Sequence, residues 1–195
     1  MRGNEGAEMK KAVWIALMVA LMLGPAALGL SQPYRDNLVL PANEIYQKML
    51  GYALDKEFEK VERSLQLTKP VTQAMNSKFK VNIEAEIKNG LDKKDQEQVI
   101  RGIQRLIWLD MKDMMSLGTD VAQESQDKAA AKFKSAFLDY LLLSPYIQTK
   151  SFSSDQKIKN NFRKTVVTAN SAEDFRRPSE EIEQDLMTAF PELKR

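Results

Sequence analysis

The sequence contains neither cysteine nor histidine among its 195 residues. Without cysteine the chain forms no disulfide, thiolate zinc site, iron–sulfur cluster or covalent haem attachment. Without histidine it cannot assemble a Ser-His-Asp or Cys-His catalytic set, and it lacks the commonest transition-metal ligand. Any reaction would depend on carboxylates, lysine, tyrosine or serine. We therefore predict a protein that is not an enzyme, with no catalytic residues and no cofactor.

Glycine and proline are few, at 8 and 7 residues, and runs of β-branched residues are scarce. Both features favour helix over strand. An excess of one charge is also missing, because 29 basic and 27 acidic residues leave a net charge of +2. Nucleic-acid binding requires a concentrated basic face, so this balanced composition predicts no nucleic-acid partner.

A long hydrophobic run occurs at the N terminus. Lys10 and Lys11 precede the apolar stretch Ala12–Leu23, a glycine–proline step interrupts it, and small residues follow. This order of basic, apolar and small-residue regions is typical of a secretory signal peptide. We predict a cleavable signal over residues 1–29.

The same segment supports a second interpretation, an uncleaved membrane anchor. The stretch Ala12–Leu30 has 19 residues and is just long enough to cross a bilayer. Small residues occupy the −3 and −1 positions for cleavage after Gly29 (Ala27 and Gly29) or after Ser31 (Gly29 and Ser31), which favours cleavage over an anchor. Met9 begins a more compact signal, so we expect it to be the true start. The mature protein is then periplasmic or secreted, and it meets a membrane only through this segment if cleavage fails.

The remaining residues, 30–195, form one all-α domain in our prediction. Apolar residues recur at helical spacing, and capping residues or prolines divide them into six or seven helices. We expect a helical bundle or a short array of antiparallel helical hairpins, with Gly118 ending the central helix and Pro145 interrupting the next. The predicted helices are Pro41–Leu54, Asp55–Pro70 with an apolar pattern continuing towards Phe79, Phe79–Leu91, Lys94–Leu117, Lys128–Leu143, Ser153–Ala169 and Ser179–Phe190.

The most regular stretch is Gln98–Gly118, QVIRGIQRLIWLDMKDMMSLG, which we expect to be the buried central helix. Asp110 lies on its apolar face, about 20° from Ile103. A carboxylate there is destabilising unless it is hydrogen-bonded, paired or metal-bound. Asp110 is therefore either a metal ligand or acid–base group, or a structural residue bonded to a group such as the hydroxyl of Tyr46 or Tyr140. We expect the structural role.

Three methionines follow on this helix, Met111, Met114 and Met115, at spacing i, i+3, i+4. Thioethers in this arrangement either bind Cu(I) or fill an irregular core. No histidine or cysteine supports a copper site, so we expect core filling. Asp113 lies at the edge of the apolar face, where we expect it to be solvated.

Charged residues form several clusters. The acidic clusters either bind a hard cation such as Ca²⁺ or Fe³⁺ or form solvated helix faces, and neighbouring lysines favour the second interpretation. The segment Lys150–Lys164, KSFSSDQKIKNNFRK, is either a patch for acidic lipid or another polyanion, or a helix with a basic solvent face; we expect the second. The acidic clusters are Glu57 with Glu59 and Glu62, Glu84 with Glu86, and Glu180 with Glu181, Glu183 and Asp185.

A weak internal repeat relates Leu54-Asp55-Lys56 to Leu91-Asp92-Lys93, each between two predicted helices. With one residue inserted, Val61 corresponds to Val99. The spacing of about 37 residues is near the repeat length of helical solenoids. The consensus positions of those repeats are missing, so we expect a chance similarity between two helix pairs.

Taken together, these features favour an exported, non-enzymatic binding or accessory module that engages a partner protein in the cell envelope. The alternative is a periplasmic metal-associated accessory protein that handles iron or copper through carboxylates or methionines. Its candidate ligands are Asp110, Met111, Met114 and Met115.

Overall fold

The computed structural model describes residue 38 and residues 40–194. The predicted signal peptide and the predicted start at Met9 lie outside the described residues. Within them the chain is all-α, as predicted, and contains eight α-helices rather than six or seven. In chain order the helices are α1 (Ala42–Leu54), α2 (Phe58–Leu67), α3 (Lys69–Phe79), α4 (Ile83–Asp92), α5 (Gln96–Val121), α6 (Gln126–Lys150), α7 (Phe152–Thr168) and α8 (Ala172–Ala189), followed by a 3-10 helix (Pro191–Lys194).

Five helices begin at a side chain that caps the first turn. In each, a side-chain oxygen of the N-cap accepts a hydrogen bond from the backbone N–H three residues later, which satisfies one of the free donors at the helix start. These contacts explain why the helices start where they do. The capping residues are Asn82, Asp95, Ser125, Ser151 and Ser171.

Two predicted helix starts were wrong. α7 begins after Ser151 rather than at Ser153, and α8 begins after Ser171 rather than at Ser179. Ser179 lies inside α8, where its hydroxyl donates to the carbonyl of Phe175 at 2.8 Å. An earlier serine in each segment provides the cap, so the pattern of small polar residues alone does not select the start.

Two further differences between the predicted and the observed helices involve prolines. Pro70 lies in the first turn of α3, where a missing N–H breaks no helical hydrogen bond, and it therefore opens an additional helix. Pro145 does not interrupt α6, which continues to Lys150. Leu143 and Ile147 on either side of Pro145 are fully buried, so core packing holds the helix together despite the lost hydrogen bond.

The central helix of the bundle is α5, as predicted. It packs against α1, α3, α4, α6 and α8, and the four residues from Leu106 to Leu109 are all buried. The prediction that Gly118 ends this helix was wrong, because α5 continues to Val121. A Cβ at Gly118 would lie 2.8 Å from Cδ2 of Phe133, so this glycine permits close approach of α5 and α6.

The hairpins α1–α2 and α4–α5 have turns with the same hydrogen bonds. The N–H of Glu57 donates to the carbonyl five residues earlier at 2.8 Å, and that of Asp95 does the same at 2.9 Å. Each turn contains a lysine in the left-handed conformation, Lys56 at φ 57° and Lys94 at φ 52°. The similarity between the two segments therefore extends to the geometry of a helix C-terminus.

α7 lies at the edge of the bundle and packs mainly against α6 and α8. Its inner face includes the buried residues Ile158, Phe162 and Thr165. In the part of the chain that the structure describes, no helix combines the length and apolar character needed to span a membrane.

Candidate functional site

Asp110 of α5 is fully buried and accepts a hydrogen bond from Tyr46 of α1. The phenol oxygen lies 2.7 Å from Oδ2 of Asp110, and Tyr46 is fully buried as well. Of the two tyrosines suggested as partners, Tyr46 meets Asp110, whereas Tyr140 bonds to a different carboxylate. A buried hydroxyl–carboxylate bond satisfies polar groups that would otherwise be strongly destabilising in the core. This geometry fits the structural role for Asp110, joining α1 to α5.

Met111, Met114 and Met115 are buried in the same core. Met49 of α1 and Met75 of α3 are also fully buried, so the thioethers come from three helices. Flexible methionine side chains fill irregular gaps between helices. Among the residues that the structure describes, no group of three or more acidic residues could hold a metal ion. The placement of these residues favours core filling over copper binding.

Ion pairs join α5 to three neighbouring helices. Asp113 is buried and pairs with Lys78 of α3, so the expectation that Asp113 is solvated was wrong. Lys112 and Arg105 of α5 pair with acidic residues of α8 and α4 respectively. These long side chains reach across the helix surface and close the edges of the core.

The acidic clusters also have nearby cations. Glu57 lies 2.7 Å from Nζ of Lys60, and Glu84 lies 2.7 Å from Nζ of Lys88. Both pairs have helical i, i+3 or i, i+4 spacing and half-exposed side chains, which makes them weakly stabilising. This arrangement favours ordinary helix surfaces over a hard-cation site.

Another buried carboxylate, Asp155 in the first turn of α7, has several hydrogen-bond donors. It accepts bonds from Tyr140 Oη at 2.7 Å, Lys159 Nζ at 2.8 Å and Gln148 Nε2 at 3.0 Å. Burial raises the pKa of Asp155, but hydrogen bonds from Lys159, Ser144 and Tyr140 outweigh it and hold that pKa below its usual value. Asp155 was not among the candidate residues predicted from the sequence. Its i, i+4 spacing to Lys159 was the available signal.

Tyr140 is the donor that connects α6 to this carboxylate. Burial, together with the hydrogen bond to Asp155, raises the pKa of Tyr140 well above its usual value, so the phenol keeps its proton. Its ring lies 5.7 Å from the ring of Phe162 on α7, measured between centroids. The hydroxyl and the ring of Tyr140 therefore both contribute to the contact between α6 and α7.

The basic segment Lys150–Lys164 is partly neutralised. Lys150, Lys157 and Lys159 pair with acidic side chains at 3.1, 2.9 and 2.8 Å respectively. Arg163 and Lys164 form no ion pair with any residue that the structure describes. The unpaired basic charge of this segment is thus concentrated near the C-terminal end of α7.

The two buried tyrosine–aspartate pairs therefore connect helices. Tyr46–Asp110 connects α1 to α5, and Tyr140–Asp155 connects α6 to α7. Comparison of the chain with protein-family models, with curated proteins and with solved structures found no match. Surfaces of the helices are further candidates for a functional role.

Proposed function

We propose that this chain is an exported, non-enzymatic helical module that engages a partner protein of the cell envelope. The signal-like N terminus supports export to the periplasm or the medium. The lack of histidine and cysteine, together with the structural use of the buried carboxylates, supports a non-enzymatic role. An apolar stripe on the side of α6 opposite Ile147 is the observation that carries the proposal.

The stripe consists of Ala131, Leu138, Leu141 and Pro145, all of which are half-buried. They recur at i, i+7, i+10 and i+14 and so form a line along α6. Leu138 lies about 180° around the helix from the core residue Ile147, at 100° per residue. α6 is therefore apolar on its core side and also on the opposite side.

A line of apolar residues with nearly heptad spacing suits the packing of an amphipathic helix from another protein. Lys134 lies on the same line, between Ala131 and Leu138, and is exposed, so the line also contains one charged residue. We therefore propose that the partner contributes a helix and that Leu138 and Leu141 form the centre of the contact. Apolar residues near the centre of an interface generally supply most of the binding energy.

Photocrosslinking in intact cells tests this proposal. A photoreactive phenylalanine analogue is placed at Leu138 or Leu141, with Glu59 as the control position, since the Glu59 side chain is almost fully exposed on α2. The expected result is one defined envelope protein crosslinked from positions 138 and 141, in an amount comparable to this chain, and absent from position 59. Exported protein that gives no adduct from either leucine position would refute the proposal.

The metal-associated alternative has less support. Its candidate ligands on α5 are buried, and the hydrogen bond between Tyr46 and Asp110 connects two helices.

A further inference from the structure

The outer side of α7 has an unusual distribution of side chains. At 100° per residue, the residues on this side occupy an arc of about 140° around the helix axis. Phe152 and Val167 lie on this arc and are 65% and 82% exposed, more than any other large apolar residue recorded as exposed in the described chain. The remaining members of the arc are Ser153, Gln156, Lys157, Asn160, Arg163 and Lys164.

The charge on this arc is entirely positive. It contains three basic residues and no acidic one, while the single acidic residue of α7, Asp155, is buried on the inner side. Lys157 pairs with Asp185 of α8 at 2.9 Å. Arg163 and Lys164 form no ion pair with the described residues, so their charges remain available to an external anion.

The neighbouring helix α8 brings a further cation to this end. Lys157 pairs with Asp185, and Asn161 bonds to Glu181, which sets an antiparallel register between α7 and α8. Continuing that register by one turn places Arg177 level with the segment that follows Lys164, in a stretch of α8 that also contains the acidic residues Glu173 and Asp174. Arg177 is exposed, and its nearest acidic partner is 4.0 Å away.

The two apolar residues lie at opposite ends of α7. They are 15 positions apart, which corresponds to about 22 Å along the helix axis. Both can enter the same apolar phase only if α7 lies parallel to its surface. Protein interfaces usually place their apolar anchors near the centre of the contact, whereas the part of this face between Phe152 and Val167 contains the polar residues Gln156 and Asn160. The distribution thus favours an extended surface over a protein pocket.

We propose that the outer face of α7 binds the surface of a bilayer that contains anionic phospholipid. Phe152 and Val167 enter the interfacial region at the two ends of the helix, while Arg163 and Lys164 contact lipid phosphates between them. α7 lies flat and does not cross the bilayer. This proposal replaces the expectations from the sequence that Lys150–Lys164 is only a basic solvent face and that the mature protein meets no membrane. It is independent of the partner-protein proposal, because it concerns a different helix.

Cosedimentation with lipid vesicles tests the inference. The exported protein is incubated with vesicles of phosphatidylethanolamine and phosphatidylglycerol, or with vesicles of phosphatidylcholine alone. We expect binding to the anionic vesicles only, and weaker binding when NaCl rises from about 0.1 M to about 1 M. No sedimentation with anionic vesicles at low salt, or equal sedimentation with both lipids, would overturn the proposal.

Charge reversal identifies the surface. The double variant R163E/K164E should weaken binding to anionic vesicles by about 30-fold or more, since each basic residue near the surface contributes to the affinity. The matched control K48E/K69E changes the net charge equally at exposed positions of α1 and α3 and should leave binding within about threefold of the original protein. An equal loss in both variants would show a general charge effect and overturn the assignment to α7.

Phe152→Ser should weaken binding by about fivefold, because a partly inserted aromatic ring is lost. Its control is Leu67→Ser, which removes an exposed apolar residue from α2 and should leave binding unchanged. All variants keep the same N-terminal segment, so any contribution of that segment cancels in the comparison. A circular dichroism melt establishes that each variant is folded. Folded F152S protein with undiminished binding would contradict the proposed orientation of α7.

Discussion

The two buried tyrosine–aspartate pairs have the same central bond but different surroundings. In both, a buried tyrosine donates to a fully buried carboxylate at 2.7 Å. Tyr46 and Asp110 are 64 residues apart in the chain, and the bond lies deep in the bundle between α1 and the centre of α5. Tyr140 and Asp155 are only 15 residues apart, and their bond lies beside the junction of two consecutive helices.

The difference lies in how each carboxylate is supported. Asp155 occupies the first turn of α7, where the helix dipole favours negative charge, and Lys159 one turn later supplies a cation. Asp110 lies in the middle of a long helix, so its support comes from other helices. The Asp155 pair is therefore supported by residues nearby in the sequence, whereas the Asp110 pair depends on the assembly of the bundle.

Removing Asp155 should have the largest effect. Asp155→Ala leaves Lys159, whose side chain is only 14% exposed, without its partner in the pair. We expect the free energy of unfolding to fall by about 3 kcal/mol, because breaking a buried ion pair leaves a desolvated charge. Urea denaturation at neutral pH measures the change. The control Asp127→Ala removes an exposed first-turn acid of α6 and should lower the free energy of unfolding by about 0.5 kcal/mol. Similar losses in the two variants would contradict a special role for the buried ion pair of Asp155.

Acidification should destabilise the protein through protonation of Asp155. The folded-state pKa of Asp155 is lowered, so its stabilisation is fully present above the unfolded-state pKa, which is about 3.9. That contribution is lost as the pH falls through the lower, folded-state value. The original protein should therefore lose more stability below about pH 4 than Asp155→Asn does. Denaturation series at several pH values provide the measurement, and parallel curves for the two proteins would contradict the shift.

Removing either phenol hydroxyl should have a smaller effect, with a different location in each case. Tyr46→Phe and Tyr140→Phe should each lower the free energy of unfolding by about 1.5 kcal/mol, because a buried carboxylate loses one donor. Amide hydrogen exchange should show reduced protection of α1 in the first variant and of the α6–α7 junction in the second. Each variant is the control for the other, and identical exchange patterns would argue against two separate connections.

Metal ions should leave the melting temperature of the protein unchanged. If Asp110 and the adjacent methionines serve the core, the melting temperature should be the same with EDTA, with added Fe³⁺ and with added Cu(I), because a ligand stabilises only the state that it binds. Metal analysis of the purified protein accompanies the melts. Bound metal in stoichiometric amount, together with a melting shift that Asp110→Asn abolishes, would show that the Asp110 region is a metal site. The two tyrosine–aspartate pairs would then differ in function.

The local features of this chain were largely predictable. The all-α class follows from the composition and from the helical spacing of apolar residues, and Gln98–Gly118 was expected to lie in the buried central helix. The prediction that Asp110 needs a partner was also sound, and Tyr46 was one of the two tyrosines suggested. Choosing between Tyr46 and Tyr140 required the helix packing, since either phenol has the necessary chemistry.

Other features also depend on how the helices pack, and the sequence alone could not predict them. The partner of Asp113 is a lysine on α3, 35 residues away, so the edge of the apolar face became buried only when α3 packed there. Continuation of α6 through Pro145 depends on buried neighbours whose packing opposes the local effect of proline. Both cases show tertiary contacts overriding a rule that holds for an isolated helix.

The sequence by itself determined the helical class, the chemistry excluded by the absence of histidine and cysteine, and the general positions of the helices. These depend on composition and on residues within about one helical turn of each other. Only the tertiary structure decided which tyrosine meets Asp110, that Asp155 is a buried ion-pair partner, and that the outer face of α7 carries unpaired positive charge. Such properties depend on which helix surfaces face each other, and that arrangement is set by the whole core.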